Sequence, residues 1–226
     1  MTDGQPGVVT PRRLAVFDLD GTLTRADTFG PFVLGLLARH PLRAWRLPLL
    51  LIPVAAYLLR MTGRGGLKGA VLHVLFGGMP RSRVEAWADE YTGKVVPRRM
   101  FPDAVGALRA HLSDGDYVVV LSASPDLYVP RIGAALGAHE SICSEVRWSG
   151  DRLDGRLAGE NRRGEEKLRV LQQLRRAHPG LPVIAYGNSD PDLPHLLQCE
   201  QAVYVNPGPA LDQRLSARGL RCVQWQ

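Results

Sequence analysis

A chain of 226 residues that is 45% hydrophobic can bury one full core and carry an inserted smaller domain, but it is too short for two independent large domains. Its three cysteines, Cys143, Cys199 and Cys222, are odd in number, far apart and form no C-x-x-C pair, which argues against a disulfide framework and against a zinc site. The net charge of +6 raises the question of an anionic partner.

The opening residues, 1–13, have no basic start followed by an apolar run, so no secretory leader is expected and the cytoplasm is the expected compartment. Leu14-Ala-Val-Phe17 is a short apolar run ending in Asp-Leu-Asp-Gly, the way a buried parallel strand delivers polar residues to its carboxyl end. Residues 25–99 interrupt the pattern and read as a helical insertion. Helical spacing returns at 102–112, a strand is expected at 117–121, and a second helix at 125–136. Residues 141–158 alternate around Ser149-Gly-Asp151 and Asp154-Gly155, an antiparallel excursion with hairpin chemistry. A helix is expected at 163–177 and strands at 183–186 and 202–205. The alternation predicts an α/β fold, a Rossmann-like parallel sheet core formed by 1–24 and 100–226, with a helical cap at 25–99.

Asp18 and Asp20 lie two apart on extended backbone, so both carboxylates share a face where the first strand ends. One can attack while the other handles protons, which is what cleavage of a phosphate monoester requires of a nucleophile and an acid for the leaving alkoxide. Gly21 and Thr22 offer a tight turn whose backbone N–H groups could face a phosphate. The plain alternative is a strand followed by an Asx-type turn with solvated acids. Ser122 follows the 117–121 strand and puts a hydroxyl at the same sheet edge, although a serine there also serves as a helix cap. Lys167 opens a helix, where a cation opposes the helix dipole unless an anion holds it; a solvated surface lysine is the alternative. Gly187-Asn188-Ser189-Asp190-Pro191-Asp192 crowds oxygen donors at that edge, as Mg²⁺ requires, or forms a polar turn capping the next helix.

In order along the chain, DLDGTLT, LSASP with Ser122, Lys167 in GEEKL, and GNSDPDLPHL resemble the four motifs of the haloacid dehalogenase superfamily of phosphatases, in the subgroup that includes phosphoserine phosphatase. The resemblance implies that Asp18 forms an aspartyl-phosphate, that Asp20 acts as acid and then as base, and that Ser122 and Lys167 hold the phosphoryl oxygens. It also implies magnesium, with Asp18, Asp20, Asn188 and Asp192 as candidate ligands. Where the family motif often has Gly-Asp this chain has Gly187-Asn188, so an amide oxygen would replace a carboxylate, with Asp192 or Asp190 adding negative charge. Asp27 stands where phosphoserine phosphatase carries a Glu for the substrate's amino group, and no partner for a substrate carboxylate is evident.

Substrate choice is expected to lie in the cap. From Thr28 to Val84 there is no Asp or Glu, while eight basic residues fall inside: Arg39, Arg43, Arg46, Arg60, Arg64, Lys68, Arg81 and Arg83. Residues 47–59 (LPLLLIPVAAYLL) read as an all-apolar helix too short to span a bilayer and kinked by Pro48 and Pro53. A shallow contact with an anionic membrane surface fits this pattern. A tightly packed cap or a dimer interface in a soluble enzyme is the alternative. Asp27-Thr-Phe-Gly30, Leu37-Ala-Arg-His-Pro-Leu42 and the apolar run also resemble phosphatidylglycerophosphatase C, which implies a phospholipid head-group phosphate as substrate; a small soluble monoester is the competing expectation. No interleaving of aromatics with the basic residues points to nucleic acid.

Overall fold

The computed structural model describes residues 11–217 and 219–226; most of the opening segment read as lacking a leader lies outside the described residues. The strands are β1 (Leu14–Phe17), β2 (Tyr117–Pro125), β3 (Glu140–Ser144), β4 (Val146–Ser149), β5 (Arg152–Leu157), β6 (Val183–Gly187), β7 (Gln201–Val205) and β8 (Arg221–Val223). The helices are α1 (Phe29–Arg39), α2 (Leu51–Leu58), α3 (Arg64–Phe76), α4 (Arg81–Arg99), α5 (Pro102–Ser113), α6 (Val129–Leu136), α7 (Glu165–Ala177), α8 (Leu193–Leu196) and α9 (Pro209–Ser216). Six strands form one parallel sheet in the order β3-β2-β1-β6-β7-β8, and β4 and β5 pair as a separate antiparallel hairpin.

β1 sits inside the sheet, paired with β2 on one side and β6 on the other. All four of its side chains are buried because both faces are covered. Leu14 and Val16 pack with Val170, Leu171 and Leu174 of α7. Ala15 and Phe17 point the other way, into a cluster that runs without a break from the sheet into the insertion through Leu19, Leu23, Phe32, Trp87, Tyr91 and Tyr128. The helical cap and the sheet therefore share one core.

Three sequence expectations shift. β2 stays extended through Pro125, where it pairs with Ser144, so the helix expected from 125 starts at Val129 with a proline in its first turn. The excursion at 141–158 divides: β3 joins the main sheet in parallel and only β4 and β5 form the hairpin. The apolar run 47–59 is not one helix. A 3-10 segment covers Pro41–Leu50 with Pro48 inside it, and α2 begins at Leu51, which places Pro53 in the first turn where its missing N–H costs nothing.

The 3-10 segment and α2 bury no residue completely. Leu51, Ile52, Leu58 and Leu59 are each more than 70% exposed, and Leu42, Trp45 and Met61 extend the same apolar surface. Among the described residues no helix is long and apolar enough to cross a membrane. α3, by contrast, lies flat on the β4–β5 hairpin. A Cβ on Gly155, whose φ is +91°, would stand 2.6 Å from the His73 nitrogen, so only glycine permits that approach. His73 Nδ1 secures the contact to the Asp154 carbonyl at 2.8 Å.

Candidate active site

Asp18 continues the line of β1, its N–H donating to the Tyr186 carbonyl at 3.0 Å, and the chain then turns at Gly21, where φ is +88°. The turn consumes its own donors. Gly21 N–H donates to the Thr24 carbonyl at 2.9 Å and Thr22 N–H to the Leu19 carbonyl at 3.3 Å. The expectation that these two N–H groups face a phosphate is therefore corrected: closing the turn takes both. What Thr22 presents instead is its hydroxyl, 3.3 Å from Asp18 Oδ2 and 3.3 Å from Asn188 Oδ1.

Lys167, in the first turn of α7, is buried with its ammonium between two carboxylates, 2.6 Å from Asp18 Oδ1 and 2.6 Å from Asp192 Oδ1. That pairing answers the helix-dipole problem posed by a cation at this position. Burial alone would lower the lysine pKa, yet Asp18 and Asp192 outweigh it and raise it, so the ammonium stays charged. Burial pushes the Asp18 carboxyl up, with Asp192 and Asp20 adding to the effect and Lys167 opposing it. Asp192 is held below the ordinary carboxylate value, its burial outweighed by Lys167 and by the Ser189 hydroxyl.

Asp20 is held differently. Its Oδ1 accepts from the Thr28 N–H at 2.8 Å and from the Thr28 hydroxyl at 2.6 Å, and its Oδ2 from the Ser124 hydroxyl at 2.5 Å. Thr28 is itself fixed, its hydroxyl 2.9 Å from Tyr128 Oη and its carbonyl accepting from Tyr91 Oη at 2.7 Å. The second carboxylate is thus aimed from both sides, by Thr28 at the entry to the cap and by Ser124 on β2, while the first is aimed by the sheet and α7.

Asp18, Asp20, Lys167 and Asp192 line one small cavity of about 110 Å³, together with Asp27, Arg64, Lys68, Ala123, Asn161, Arg163, Ser189 and Pro191. Asp27 is exposed at its rim and accepts from the Gly30 N–H at 2.8 Å, capping α1. Ser122 is not among the lining residues. It is fully buried, its Oγ accepting from the Ser124 N–H at 3.1 Å, and Ala123 faces the cavity in its place.

The haloacid dehalogenase-like hydrolase family matches residues 15–197, which takes in the sheet from β1 to β6, the insertion and every residue of this cavity, and leaves out β7 and β8. The chain belongs to that family. It is 32% identical over 193 residues to protein CicA of Caulobacter vibrioides, covering 84% of this chain and 85% of that one. A probable phosphatase of Mycobacterium tuberculosis is 32% identical over 148 residues, 63% of this chain and 50% of that one. The crystal structure of a protein of unknown function from Bordetella pertussis superposes with a TM-score of 0.77 at 27% identity, over 95% of this chain and 99% of that one. Solved phosphoserine phosphatases share the fold at TM-scores of 0.55 to 0.68 and identities of 11% to 18%, which carries the fold alone. The resemblance of the four motifs to this family's phosphatases holds.

A haloacid dehalogenase-like hydrolase of the phosphatase kind implies a magnesium ion, and the donor set can be tested for it. Thr22 has one hydroxyl proton for two acceptors, Asp18 Oδ2 and Asn188 Oδ1, so at least one hard oxygen is left without a donor there. The Asn188 side chain seats tightly against Gly21, where a Cβ would stand 2.1 Å from Nδ2. Both oxygens of Asp192 are committed, Oδ1 to Lys167 and Oδ2 to the Ser189 hydroxyl at 2.6 Å and the Ser189 N–H at 3.1 Å. Both oxygens of Asp20 are committed as well, as described above. Neither Asp190 nor Asn188 is among the residues lining the cavity, but Asp190 is exposed whereas Asn188 is half-buried and reaches Thr22 beside Asp18. Among the described residues no three His, Cys, Asp or Glu side chains form a metal-binding cluster. The residues fit a cation held by Asp18 and Asn188, with Asp192 as the charge behind them.

Sequence reading missed Ser124, Thr28 and Tyr128, which aim Asp20, and the cations Arg64, Lys68 and Arg163. Lys68 donates to the Ala123 carbonyl at 3.0 Å. Burial pulls its pKa below the ordinary lysine value, although Asp20, Asp27 and Asp18 oppose the shift. Arg64 and Lys68 fall in the acid-free stretch read as facing an anionic membrane surface, with a packed cap or a dimer interface as the alternative; nothing in the spacing marks these two as lining the cavity.

Proposed function

We propose that this phosphatase of the haloacid dehalogenase-like family is a magnesium-dependent phosphomonoester hydrolase working through an aspartyl-phosphate on Asp18. The observation that carries the reading is the buried Lys167 ammonium 2.6 Å from Asp18 Oδ1, beside a second carboxylate held by its own donors. Asp18 forms the new O–P bond as the alkoxide leaves, and Asp20 gives that alkoxide its proton. Asp20 then takes a proton from water, whose oxygen attacks phosphorus, the bond to Asp18 breaks, and inorganic phosphate departs. Lys167 offsets charge on the phosphoryl oxygens throughout. Asp18 and Asn188 would hold a magnesium ion, which when bound would supply further neutralisation of negative charge. Ser122, whose buried hydroxyl retains its own proton, supports the segment that presents Ser124 and Ala123.

On the alcohol, two readings have support. A small soluble monoester suits a cavity of about 110 Å³ and a fold shared with phosphoserine phosphatases. A phospholipid head-group phosphate, such as that of phosphatidylglycerophosphate, is favoured by the apolar surface of Leu42, Trp45, Leu51, Ile52, Leu58 and Leu59 in a stretch without one acid. On that second reading residues 25–99 act as a cap that docks on the anionic face of the cytoplasmic membrane. A phosphate-release screen of soluble monoesters beside phosphatidylglycerophosphate in vesicles separates them. Turnover of the soluble esters alone, with no flotation on anionic vesicles, removes the lipid reading; the absence of release from any monoester removes both.

A further inference from the structure

The catalytic cavity does not end at a wall. Arg64, Asn161 and Arg163 line it and also line a groove of about 980 Å³ between the cap and the hairpin side of the sheet domain. Beyond that neck the groove is walled largely by apolar and small groups, among them Ile52, Ala70, Val74 and Leu157, with His73, Arg156 and one carboxylate, Glu160, as its other polar members. At the neck and just inside it stand Arg64, Arg163 and Lys68, and among the described residues no carboxylate lies within 4.0 Å of any of the three. Lys167, the fourth cation of the cavity, is fully engaged by Asp18 and Asp192. A phosphate monoester reaching Asp18 needs Lys167. It does not need three further positive charges on the way out: Lys68 is partly buried with a carbonyl and no carboxylate beside it, Arg163 is half-buried, and Arg64 stands exposed at the mouth.

We infer that Lys68, Arg64 and Arg163 form a second anion subsite, and that the substrate carries a second acidic group, a carboxylate or a phosphodiester, next to its monoester phosphate. The inference rests on the phosphomonoester reading and specifies its alcohol. Lys68 reaches the second anion from the cap while the Ala123 carbonyl holds its other side, and the two guanidiniums close the neck around it. An apolar remainder of the substrate, where there is one, leaves along the groove.

The test uses the full chain with Mg²⁺ and three non-hydrolysable probes of similar length: pentylphosphonate, 4-phosphonobutanoate and methyl 3-phosphonopropyl phosphate. Calorimetric titration should show at least one doubly anionic probe binding about tenfold or more tighter than pentylphosphonate, the size expected of a charge-assisted contact. In Lys68→Met that advantage should fall below about threefold while pentylphosphonate affinity stays within about twofold, and Lys68→Arg should restore it. Arg163→Gln provides the same comparison at a surface-accessible position if Lys68→Met does not fold. An advantage for the phosphodiester alone points to a glycerophospholipid head group, and one for the carboxylate alone to a soluble phosphorylated acid. Equal affinity of the three probes for the wild type, or an equal loss for all three in Lys68→Met, overturns the subsite. Phosphate release from a simple monoester, measured beside the titrations, reports on the hydrolase reading separately: no turnover with the binding difference intact would overturn that reading and leave the subsite standing.

Discussion

On the proposed mechanism Lys167 joins the chemistry and the stability of the site in one side chain. Replacing it with Met leaves Asp18 and Asp192 buried without their counter-ion, and removing one partner of a buried pair costs about 3–5 kcal/mol. We expect Lys167→Met to lose phosphate release and to lower the urea midpoint together. Asp18→Asn should abolish turnover, because an amide does not form the acyl-phosphate, and should leave stability far less affected. Asp20→Asn should slow turnover by about 10² to 10⁴ and accumulate phosphoenzyme, since deacylation needs the same carboxyl. Near-normal rates in either aspartate variant contradict the assignment. His195 provides a test by pH. Among the described residues its buried Nδ1 has no partner, and burial, reinforced by Lys167 against the opposing Asp192, holds its pKa at about 4. The fold therefore favours the neutral ring. Stability from this group is complete above the unfolded value near 6.5 and drains away as pH falls toward 4, a loss of about 2 kcal/mol by pH 5. Urea midpoints measured at pH 7 and pH 5 should fall less in His195→Gln than in the wild type; equal falls would remove His195 from the acid response.

At the scale of elements, the contact between α3 and the β4–β5 hairpin is where backbone conformation and packing coincide. Gly155→Ala meets both a left-handed φ and a backbone atom at 2.6 Å, so it should cost about 2–5 kcal/mol by the sum of the αL penalty and overpacking. Gly159→Ala, with open space around it, should be nearly neutral. Denaturant titration of both variants measures the difference directly. β1 and the start of β2 were legible in the sequence because a strand buried on both faces has to be an apolar run ending in polar residues. The end of β2 was not, since Ser122 to Pro125 pass for a helix cap until Pro125 is found paired with Ser144. β3 and β8 were hidden for a similar reason: each is short, lies toward a sheet edge and mixes polar with apolar residues. Within the site, the motif residues Asp18, Asp20, Lys167 and Asp192 were readable from order and spacing. Their supports, Thr28, Ser124 and Tyr128, were not, because they meet Asp20 through the fold and not along the chain.

On the scale of the whole molecule, the exposed apolar surface stands apart from Asp18, Asp20 and Lys167 and meets the groove beyond them at Ile52. Leu51, Ile52, Leu58 and Leu59 are exposed, whereas Leu50 packs against the core and should be left intact in any test. Changing the four exposed residues to Ser should leave the urea midpoint close to wild type and soluble-ester turnover unchanged. If the cap docks on anionic bilayers, flotation and lipid turnover should both fall steeply, since each buried aliphatic contributes roughly 1.5–3 kcal/mol. A change of mass in solution on the same substitution would show instead that the patch joins two copies of the chain. Excess chelator should stop turnover without altering the far-ultraviolet circular dichroism, because the shared core does not depend on the ion. The central position of β1 also has a consequence for how the protein is made. Leu14 pairs with Tyr117 and with Val183, so during synthesis the strand that leads to Asp18 finds its second neighbour only after residues 15–183 have followed it. At about 5–20 residues per second, that wait is on the order of ten to thirty seconds. Until β2 arrives LAVF is an unpaired, wholly apolar segment, the kind that chaperones hold, and until β6 arrives one of its edges stays open.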